Sequence, residues 1–341
     1  MENWSLLPVS LVGLGLIAVL VLAANLSVKK LVGIAAYFNL SSTFMGMTVV
    51  SLATSIPEIT SHLTASTNIL LGKLDFQIGS AIVLGSNIGS DVVQQTFILG
   101  LVVLLTGTLR FRRYFMWKSM GPMIGSTIMC ILLGLDGSYS RLDGFILFGS
   151  FVLYSVYLYY DERKFYQSED NAPMSEEISD SIPKNKRQLL IDTGISVFLL
   201  AITVLAASQV LSITEIIVNR TGISGSLIGV VTLGLASALP EFTTALAGVR
   251  HKEFGISLGT LVGSNITNPL VGIGGGALLS TYAVPKPLIW WDLPWETLTG
   301  VILWLILFFK KGRLGKIDAF YLMGMYFVFI ILRAVIFKSD F

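Results

Sequence analysis

The sequence predicts an all-α polytopic membrane protein whose ten transmembrane helices form two inverted five-helix repeats. Three observations lead to this prediction: a low content of charged residues, a series of long apolar segments, and a pair of motifs that occurs twice. Only 13% of the 341 residues are charged and 53% are hydrophobic, whereas a soluble domain carries about 25% charged residues. A lipid bilayer is the simplest environment that accepts such a chain.

Apolar segments of nearly membrane-spanning length recur along the whole chain and predict the ten helices. They lie at residues 6–27, 41–66, 76–107, 117–135, 143–160, 189–211, 224–249, 254–281, 288–309 and 317–337. The second, third, seventh and eighth contain more Ser, Thr, Asn and Gly than the others. Because a transmembrane helix consists mainly of apolar residues, the polar groups of these four segments indicate a role other than contact with lipid.

The loops between these segments differ in their basic residues. When the N-terminus is placed outside, most of the 23 lysines and arginines fall in the inner connections, while Arg333 lies inside the last helix. Because lysine and arginine are enriched in cytoplasmic loops, this bias predicts a multi-pass protein of the cell membrane with both termini outside.

One long polar stretch, residues 161–188, divides the chain into two halves. It has mixed charge, two prolines and no periodic apolar pattern, which predicts a solvated cytoplasmic linker. It is too short for a folded module such as a sandwich domain, which needs about 100 residues. The predicted units are therefore residues 1–160 and 189–341, each with five helices and one copy of the repeated motifs.

The repeated motifs are the feature on which the functional prediction rests. Residues 46–65 read GMTVVSLATSIPEITSHLTA and residues 229–248 read GVVTLGLASALPEFTTALAG, with a Pro-Glu pair at the same place in both. A GSNI block follows each copy, at 85–88 and 263–266. The copies are five helices apart, so they cross the membrane in opposite directions. Inverted repeats of this kind place a transporter's substrate site near the middle of the bilayer.

The two Pro-Glu pairs combine a helix break with a buried negative charge. A proline removes one backbone hydrogen bond of a helix, which frees carbonyl groups near Thr54 and Ser237. A charge at the bilayer centre costs about 2.5–3.5 kcal/mol even on the mildest scale, so Glu58 and Glu241 indicate a cation site. Their combined charge of −2 matches one divalent ion, and calcium takes 6–8 oxygen ligands.

Several neutral side chains offer further oxygen atoms to calcium or sodium. The candidates are Thr54, Ser55, Ser86, Asn87, Ser90, Ser237, Ser264, Asn265 and Asn268. Asp91 either lines the same cavity or faces an inner water-filled vestibule. His62, four residues after Glu58, either packs between helices or tunes that carboxylate. The sequence leaves both alternatives open.

Other classes of protein are disfavoured by composition and motif content. A net charge of +2 does not suggest a nucleic-acid partner, and a single cysteine, Cys130, excludes a disulfide framework or a thiolate metal site. An intramembrane protease needs an activated nucleophile, and Ser55 has no obvious base partner. The prediction is therefore a non-enzyme without a cofactor or an evident obligate protein partner, acting on Ca²⁺ and Na⁺ in a lipid bilayer. A channel that uses the same carboxylates remains open.

The motifs ATSIPE and SALPE, with the two GSNI blocks, resemble the α-repeats of sodium/calcium exchangers in the cation/calcium antiporter superfamily. The resemblance implies electrogenic exchange of several Na⁺ for one Ca²⁺ by alternating access, with helices 1 and 6 as a sliding gate. It implies that Glu58 and Glu241 are shared ligands and that the carbonyls of Thr54 and Ser237 complete the calcium site. The implied sodium ligands are the side chains of Ser55, Ser86 and Ser264 and the backbone oxygens of Ser51 and Gly234.

This chain departs from the family pattern near the two glutamates. Ala238 stands where a serine is usual, Ser90 where Asn or Asp is expected, and Asn268 where Asp is common. The last two are counted with the candidate ligands. The shortage of acids at this position argues against a resemblance to potassium-dependent exchangers. It leaves antiport of Ca²⁺ with H⁺, or of another cation, as the alternative to Na⁺/Ca²⁺ exchange.

Overall fold

The computed structural model of the chain describes residues 5–37, 48, 50–111, 116–165, 182–250, 254–337 and 339–341. Within these ranges the ordered elements are helices and a few two-residue strands. The α-helices, in chain order, are α1 (Leu6–Ala36), α2 (Ser51–Thr54), α3 (Ile56–Leu70), α4 (Phe76–Val93), α5 (Leu99–Thr106), α6 (Gly121–Leu133), α7 (Arg141–Phe165), α8 (Lys186–Thr221), α9 (Gly225–Ile228), α10 (Gly234–Ser237), α11 (Leu239–Arg250), α12 (Phe254–Thr267), α13 (Gly274–Ser280), α14 (Leu293–Phe309) and α15 (Lys316–Ile336). Wider π-helical turns lie at Gln94–Ile98, Met116–Met120, Gly229–Leu233, Asn268–Ile273 and Leu288–Asp292.

Eight helical segments of the described residues are long and apolar enough to cross a membrane. They are Leu6–Ser27, Phe76–Thr106, Met116–Leu133, Arg141–Tyr160, Lys186–Thr221, Gly225–Leu246, Leu288–Phe309 and Lys316–Ile336. Of the two other predicted spans, 41–66 lies partly outside the described residues, and 254–281 is helical but too polar to qualify. The all-helical membrane fold is confirmed, whereas the count of ten helices stays a prediction.

The helices beside the predicted linker extend further than the apolar segments suggest. Helix α7 continues to Phe165 and α8 begins at Lys186, so both reach into the predicted linker at 161–188. Helix α8 also runs to Thr221, ten residues past its predicted end at 211. Backbone hydrogen bonds hold a helix together whatever its side chains are, so polar residues at a membrane surface can continue it. Residues 166–181 lie outside the described part of the chain.

Helices α1 and α8 lie antiparallel along most of their length. Near one end Lys30 Nζ lies 2.6 Å from Asp192 Oδ1, and the Ser27 and Ser196 hydroxyls are 3.4 Å apart. Towards the other end, a Cβ on Gly13 would lie 3.1 Å from the Ile213 side chain. The residue numbers of the partners run in opposite directions. This is the arrangement expected when corresponding helices of two inverted repeats face each other.

Helix α4 and the segment Gly225–Ser237 are joined by glycines that let their backbones touch. A Cβ on Gly85 would lie 2.4 Å from the Ser226 carbonyl oxygen, and a Cβ on Gly89 would lie 2.5 Å from Val230 Cα. These distances leave no room for any side chain. Close backbone approach through small residues is a common way for helices to associate within a membrane.

We expect Gly89→Ala to disrupt this contact, since the added methyl group would overlap with backbone that cannot rotate away. Overpacking a core typically costs about 1–3 kcal/mol. The measurement is the fraction of purified protein that remains monodisperse after heating in detergent. The control is Gly125→Ala, where a Cβ meets nothing within 4 Å. Equal heat resistance of the two variants would contradict the packing described here.

Two short antiparallel ribbons mark opposite ends of the helical bundle. Each ribbon joins a loop of the first half to a loop of the second half: β1 (Leu109–Arg110) with β4 (Arg313–Leu314), and β2 (Ser138–Tyr139) with β3 (Tyr282–Ala283). Helix α4 begins beside β3, since the Ala283 amide donates to Ser80 Oγ. The helical segment that α4 starts ends just before β1. Loops predicted to lie on one side of the membrane therefore meet in one ribbon.

Candidate cation-binding site

Both Pro-Glu motifs lie at a break between two helices, at the same place in each copy. Helix α2 ends at Thr54 and α3 begins at Ile56, with Ser55 between them at φ −77° and ψ 6°. Helix α10 ends at Ser237 and α11 begins at Leu239, with Ala238 between them at φ −75° and ψ −3°. An α-helix needs ψ near −42°. The two copies of the motif thus produce the same backbone geometry.

This geometry puts each glutamate in the first turn of a new helix. Glu58 lies in the first turn of α3 and Glu241 in the first turn of α11. The N-terminus of a helix carries a partial positive charge and unpaired N–H groups, so it stabilises a nearby carboxylate. The helix break therefore explains how two acidic side chains are accommodated at a depth where both are buried, with exposures of 2% and 0%.

Each glutamate has one hydrogen-bonded oxygen and one buried oxygen without a hydrogen-bond partner. Ser90 Oγ donates to Glu58 Oε1 at 2.7 Å, and Ser264 Oγ donates to Glu241 Oε1 at 3.3 Å. The Oε2 atoms of both residues are buried and lack a partner among the described residues. Leaving a buried charged group unpaired is costly, and a cation bound by these oxygens would remove that cost.

The two repeats are interlocked around these carboxylates. Thr54 Oγ1 of the first motif lies 3.3 Å from Ser264 Oγ of the second repeat, which in turn bonds Glu241. One turn earlier, Ser51 Oγ lies 3.4 Å from Thr267 Oγ1. The residues that the sequence predicted as ligands from separate repeats are thus brought together.

The equivalent contact, between the second Pro-Glu motif and the helix of the first GSNI block, is made by backbone atoms. A Cβ on Gly234 would lie 2.7 Å from the amide nitrogen of Ser90 and 2.8 Å from the carbonyl oxygen of Ser86. The Ser237 hydroxyl donates to the Gly234 carbonyl at 3.3 Å. Gly234 therefore sits directly against the helix that carries Ser86 and Ser90, as a residue with a side chain could not.

A narrow cavity beside the site is lined by residues from both repeats and from α1 and α8. The cavity volume is about 20 Å³, enough for one water molecule. Ser86 and Ser237 line it together with Leu20 of α1 and Val210 of α8. Any change in the position of the α1–α8 pair would therefore alter access to these two serines.

Several neutral oxygens around the glutamates are also buried without a hydrogen-bond partner. They are Ser55 Oγ, Asn87 Oδ1, Asn265 Oδ1 and Asn268 Oδ1. Within the described residues, no group of three or more His, Cys, Asp or Glu side chains converges as a metal cluster would. A cation at this site would therefore take its ligands from two carboxylates and from neutral oxygens, a mixture that suits calcium and not a thiolate- or imidazole-binding metal.

A model of the family described as "Sodium/calcium exchanger protein" matches residues 9–160 and 192–335, which is most of the chain. The chain belongs to this family. It is 27% identical over 314 residues to CaxA of Alkalimonas amylolytica, named as a candidate antiporter, and the match covers 90% of this chain and 91% of that protein. Together with the eight segments of the described residues that are long and apolar enough to cross a membrane, the family shows that the chain is a multi-pass integral membrane protein.

Solved structures of exchangers share the fold. The chain resembles the sodium-calcium exchanger NCX_Mj with a TM-score of 0.61 at 21% identity, over 94% of this chain and 98% of that one. It resembles the H⁺/Ca²⁺ exchanger CAX with a TM-score of 0.73 at 14% identity, over 98% and 86%. At these identities the likeness shows a shared fold.

An amide chain connects the exchanger's two halves beside Glu58. Gln94 Nε2 donates to Ser90 Oγ at 3.0 Å, and Asn265 Nδ2 lies 3.3 Å from Gln94 Oε1. Ser90, which already donates to Glu58, is therefore held from both sides. Ser90 is thus part of a continuous hydrogen-bonded network that runs from Glu58 through Gln94 to Asn265.

Asp91 and Glu296 are two further buried acids, each hydrogen-bonded to a neutral side chain. Asp91 is 1% exposed, and its Oδ1 accepts a 2.7 Å hydrogen bond from Asn268 Nδ2. Glu296 of α14 is 3% exposed, and its Oε1 accepts a 2.9 Å hydrogen bond from Thr127. The Gln95 amide donates to the Glu296 carbonyl. Sequence reasoning passed over Glu296, whose only signal was an acid in an apolar segment without a repeat partner.

His62, four residues after Glu58 in α3, is packed in a hydrogen-bonded group. Its Nδ1 lies 3.0 Å from Tyr282 Oη, which also lies 2.8 Å from Ser66 Oγ. Tyr282 Oη donates to the His62 carbonyl oxygen at 3.1 Å as well. Of the two alternatives left open by the sequence, the geometry favours packing, because the imidazole is bonded to Tyr282 and buried.

Proposed function

We propose that this exchanger is a secondary active antiporter that moves Na⁺ in exchange for Ca²⁺ by alternating access. The observation that carries the proposal is the pair of buried carboxylates at matching helix breaks, each with one unpartnered oxygen. A pair with a charge of −2 suits one divalent cation or two monovalent ones. Because calcium and sodium would compete for the same oxygens, binding of one ion excludes the other. Antiport requires this competition.

The proposed calcium ligands are the side chains of Glu58 and Glu241 with the backbone oxygens of Thr54 and Ser237. Sodium is proposed to share Glu58 and Glu241 with calcium. Its further proposed ligands are the side chains of Ser55, Ser86 and Ser264, the backbone oxygens of Ser51 and Gly234, and the polar groups of Ser90 and Asn268. Support comes from the burial of these side chains and from the direct contacts of Ser90 and Ser264 with the two glutamates.

The proposed architecture has ten helices in two inverted repeats, residues 1–160 and 189–341, joined by a cytoplasmic linker at 161–188. Helices α1 and α8 form the sliding gate, and both termini lie on the outer side of the cell membrane. The antiparallel α1–α8 pair and the two end ribbons support this arrangement, since each ribbon joins loops that the basic residues assign to the same side.

Exchange of Ca²⁺ for H⁺ is the second candidate. Ala238, buried at the second helix break, offers no hydroxyl where the first break has Ser55. One ligand fewer is expected to weaken sodium binding more than calcium binding, because the carboxylates remain.

The test is calcium uptake by purified protein in sealed vesicles. One set has an outward Na⁺ gradient, a second an outward H⁺ gradient and a third neither. The expected result is uptake only with the Na⁺ gradient, accelerated by a membrane potential that carries positive charge outward. Uptake driven by H⁺ alone would overturn the sodium proposal, and uptake in the third set would indicate a channel.

A further inference from the structure

Gln94 is a fully buried amide that lies between the two copies of the GSNI motif. It is 0% exposed and begins the wide helical turn Gln94–Ile98 that follows α4. Its Nε2 donates to Ser90 Oγ at 3.0 Å, and its Oε1 accepts a hydrogen bond from Asn265 Nδ2 at 3.3 Å. Because a buried amide is costly unless it is hydrogen-bonded, these two partners hold Gln94 in one orientation between the two repeats.

The hydrogen bonds of this chain all run in one direction, towards Glu58. Asn265 donates to Gln94, and Gln94 donates to Ser90. Ser90 in turn donates to Glu58 Oε1 at 2.7 Å. A serine hydroxyl has one proton and two acceptor lone pairs. Because the Gln94 NH₂ group points at Ser90 Oγ, the hydroxyl proton is directed away from Gln94 and towards the carboxylate.

The second repeat has no amide at the position equivalent to Gln94. Counted from the two GSNI blocks, Ser90 corresponds to Asn268, and Gln94 corresponds to Gly272. The first repeat therefore has a short hydroxyl followed one turn later by a long amide, whereas the second repeat has an amide followed by a glycine. A Cβ on Gly272 would lie 2.7 Å from Asn87 Nδ2. The bulk of the Gln94 side chain is thus a feature of the first repeat alone.

The orientation of the Glu58 carboxylate depends on this chain. Its Oε1 is bonded to Ser90, and its Oε2 is the buried oxygen without a partner among the described residues. A carboxylate is planar, so a fixed Oε1 fixes the direction in which Oε2 points. The other end of the chain is anchored in α12, because Asn265 Nδ2 also donates to the Leu261 carbonyl at 2.8 Å. A ligand oxygen that is held in place before binding loses less freedom when the ion arrives.

We propose that Gln94 is a positioning residue for calcium binding, which aims the Ser90 hydroxyl at Glu58 and ties it to α12 of the second repeat. Gln94 does not itself hold the ion, since both ends of its amide are occupied by Ser90 and Asn265. The inference rests on the proposed function, because it concerns the same cation site. It requires that the effect of Gln94 on calcium binding passes through Ser90.

The first test compares Gln94→Met with Gln95→Met. Methionine has a similar length and leaves out the amide. Gln95 is the matched control, because its amide is also buried but donates to the Glu296 carbonyl and not to Ser90. The measurement is calcium/calcium exchange in sodium-free vesicles. In Gln94→Met the calcium concentration for half-maximal exchange is expected to rise about fivefold, equivalent to about 1 kcal/mol, with a maximal rate close to that of the unmodified protein.

A purely structural role of Gln94 would lower the amount of inserted protein and leave the half-maximal calcium concentration unchanged. That outcome would overturn the proposal. An equal rise of the half-maximal concentration in Gln95→Met would overturn it too, because the effect would then follow from the loss of any buried amide in this turn.

The second test asks whether Gln94 acts through Ser90. Ser90→Ala removes the hydroxyl that Gln94 aims at Glu58 and is expected to raise the half-maximal calcium concentration at least as much as Gln94→Met. Effects of residues that share one network are not additive. Adding Gln94→Met to Ser90→Ala should therefore cause no further rise. Additive effects of the two substitutions would overturn the proposed route.

Calcium binding is also measured without transport, so that the positioning role and the proposed function can fail separately. A ligand that binds the folded state raises its heat resistance. In detergent, with ionic strength kept constant by choline chloride, Gln94→Met should need more calcium than the unmodified protein for half of this rise, and Gln95→Met should not. If this difference is seen but the unmodified protein shows no sodium-driven uptake, the exchange proposal falls and the positioning role stands. If calcium changes neither heat resistance nor exchange, both fall.

Should Gln94→Met fail to insert, Gln94→Asn supplies the same test with a polar side chain. Asparagine is shorter by one carbon–carbon bond of about 1.5 Å, so its amide cannot reach both Ser90 and Asn265. The half-maximal calcium concentration is again expected to rise. No change in that concentration would overturn the positioning role.

Discussion

Glu58→Gln and Glu241→Gln are each expected to abolish calcium exchange while leaving the protein inserted in the membrane. Glutamine keeps the volume of the side chain and an oxygen that can accept the bonds from Ser90 and Ser264. It removes half of the −2 charge that a divalent ion needs. At an effective dielectric constant of about 20, a unit charge at 4 Å is worth about 4 kcal/mol per interacting unit charge, so calcium affinity should fall by about a thousandfold or more.

The measurement is sodium-driven uptake of radioactive calcium by vesicles containing equal amounts of each variant. Glu215→Gln is the matched control, because it makes the same chemical change at a half-buried residue whose Oε1 accepts a bond from the Asp75 amide. That control should transport normally. Near-normal calcium flux in either Glu58→Gln or Glu241→Gln would show that the cation site has been placed wrongly.

Arg333→Met is expected to give the largest loss of stability in the chain. The Arg333 guanidinium and the Asp292 carboxylate are both 0% exposed, and Nε donates to Oδ1 at 2.9 Å and to Oδ2 at 3.0 Å. The guanidinium also donates to the Phe337 carbonyl and to Ser226 Oγ. It therefore ties α15 to the turn before α14 and to the start of α9. Removing it leaves a buried unpaired charge, which costs about 3–5 kcal/mol.

The measurement is unfolding in mixtures of mild detergent and dodecyl sulfate, followed by tryptophan fluorescence. The double variant Arg333→Met with Asp292→Leu should recover most of the loss, because neither charge is then buried alone. Lys310→Met is the control, since the Lys310–Asp318 pair is partly exposed, at 49% for the lysine, and such pairs are worth about 1 kcal/mol or less. If the two single variants were equally stable, the ion pair would not have the role assigned to it.

The candidate ligands around the glutamates could be predicted because their signal is local and occurs twice. The Pro-Glu pair and the GSNI block can each be read within a few residues, and a proline breaks a helix wherever it lies in its interior. The structure then shows Ser55 and Ala238 with nearly the same dihedral angles. The two motifs share the Pro-Glu pair and have nearly the same break, because the cause is the chemistry of the proline ring.

The contacts that complete the site could not be predicted in the same way. Glu296 lies beside Gln95, 201 residues away in the chain, and Tyr282 bonds His62, 220 residues away. Lys30 pairs with Asp192 across 162 residues. Unlike the Pro-Glu pair and the GSNI block, none of these residues has a counterpart of the same type in the other repeat. Only the packing of distant helices brings such groups within hydrogen-bond distance.

By itself, the sequence determined the membrane character of the chain, the position of the helix breaks and the pair of glutamates at their centre. These follow from hydrophobicity and from the backbone chemistry of proline, which act within one segment. Only the tertiary structure decided which serine faces which glutamate, that Asp91 is bonded by Asn268, and that Arg333 is neutralised by Asp292. Those outcomes depend on distances between segments, because electrostatic and hydrogen-bond energies are set by separation and burial and not by order along the chain.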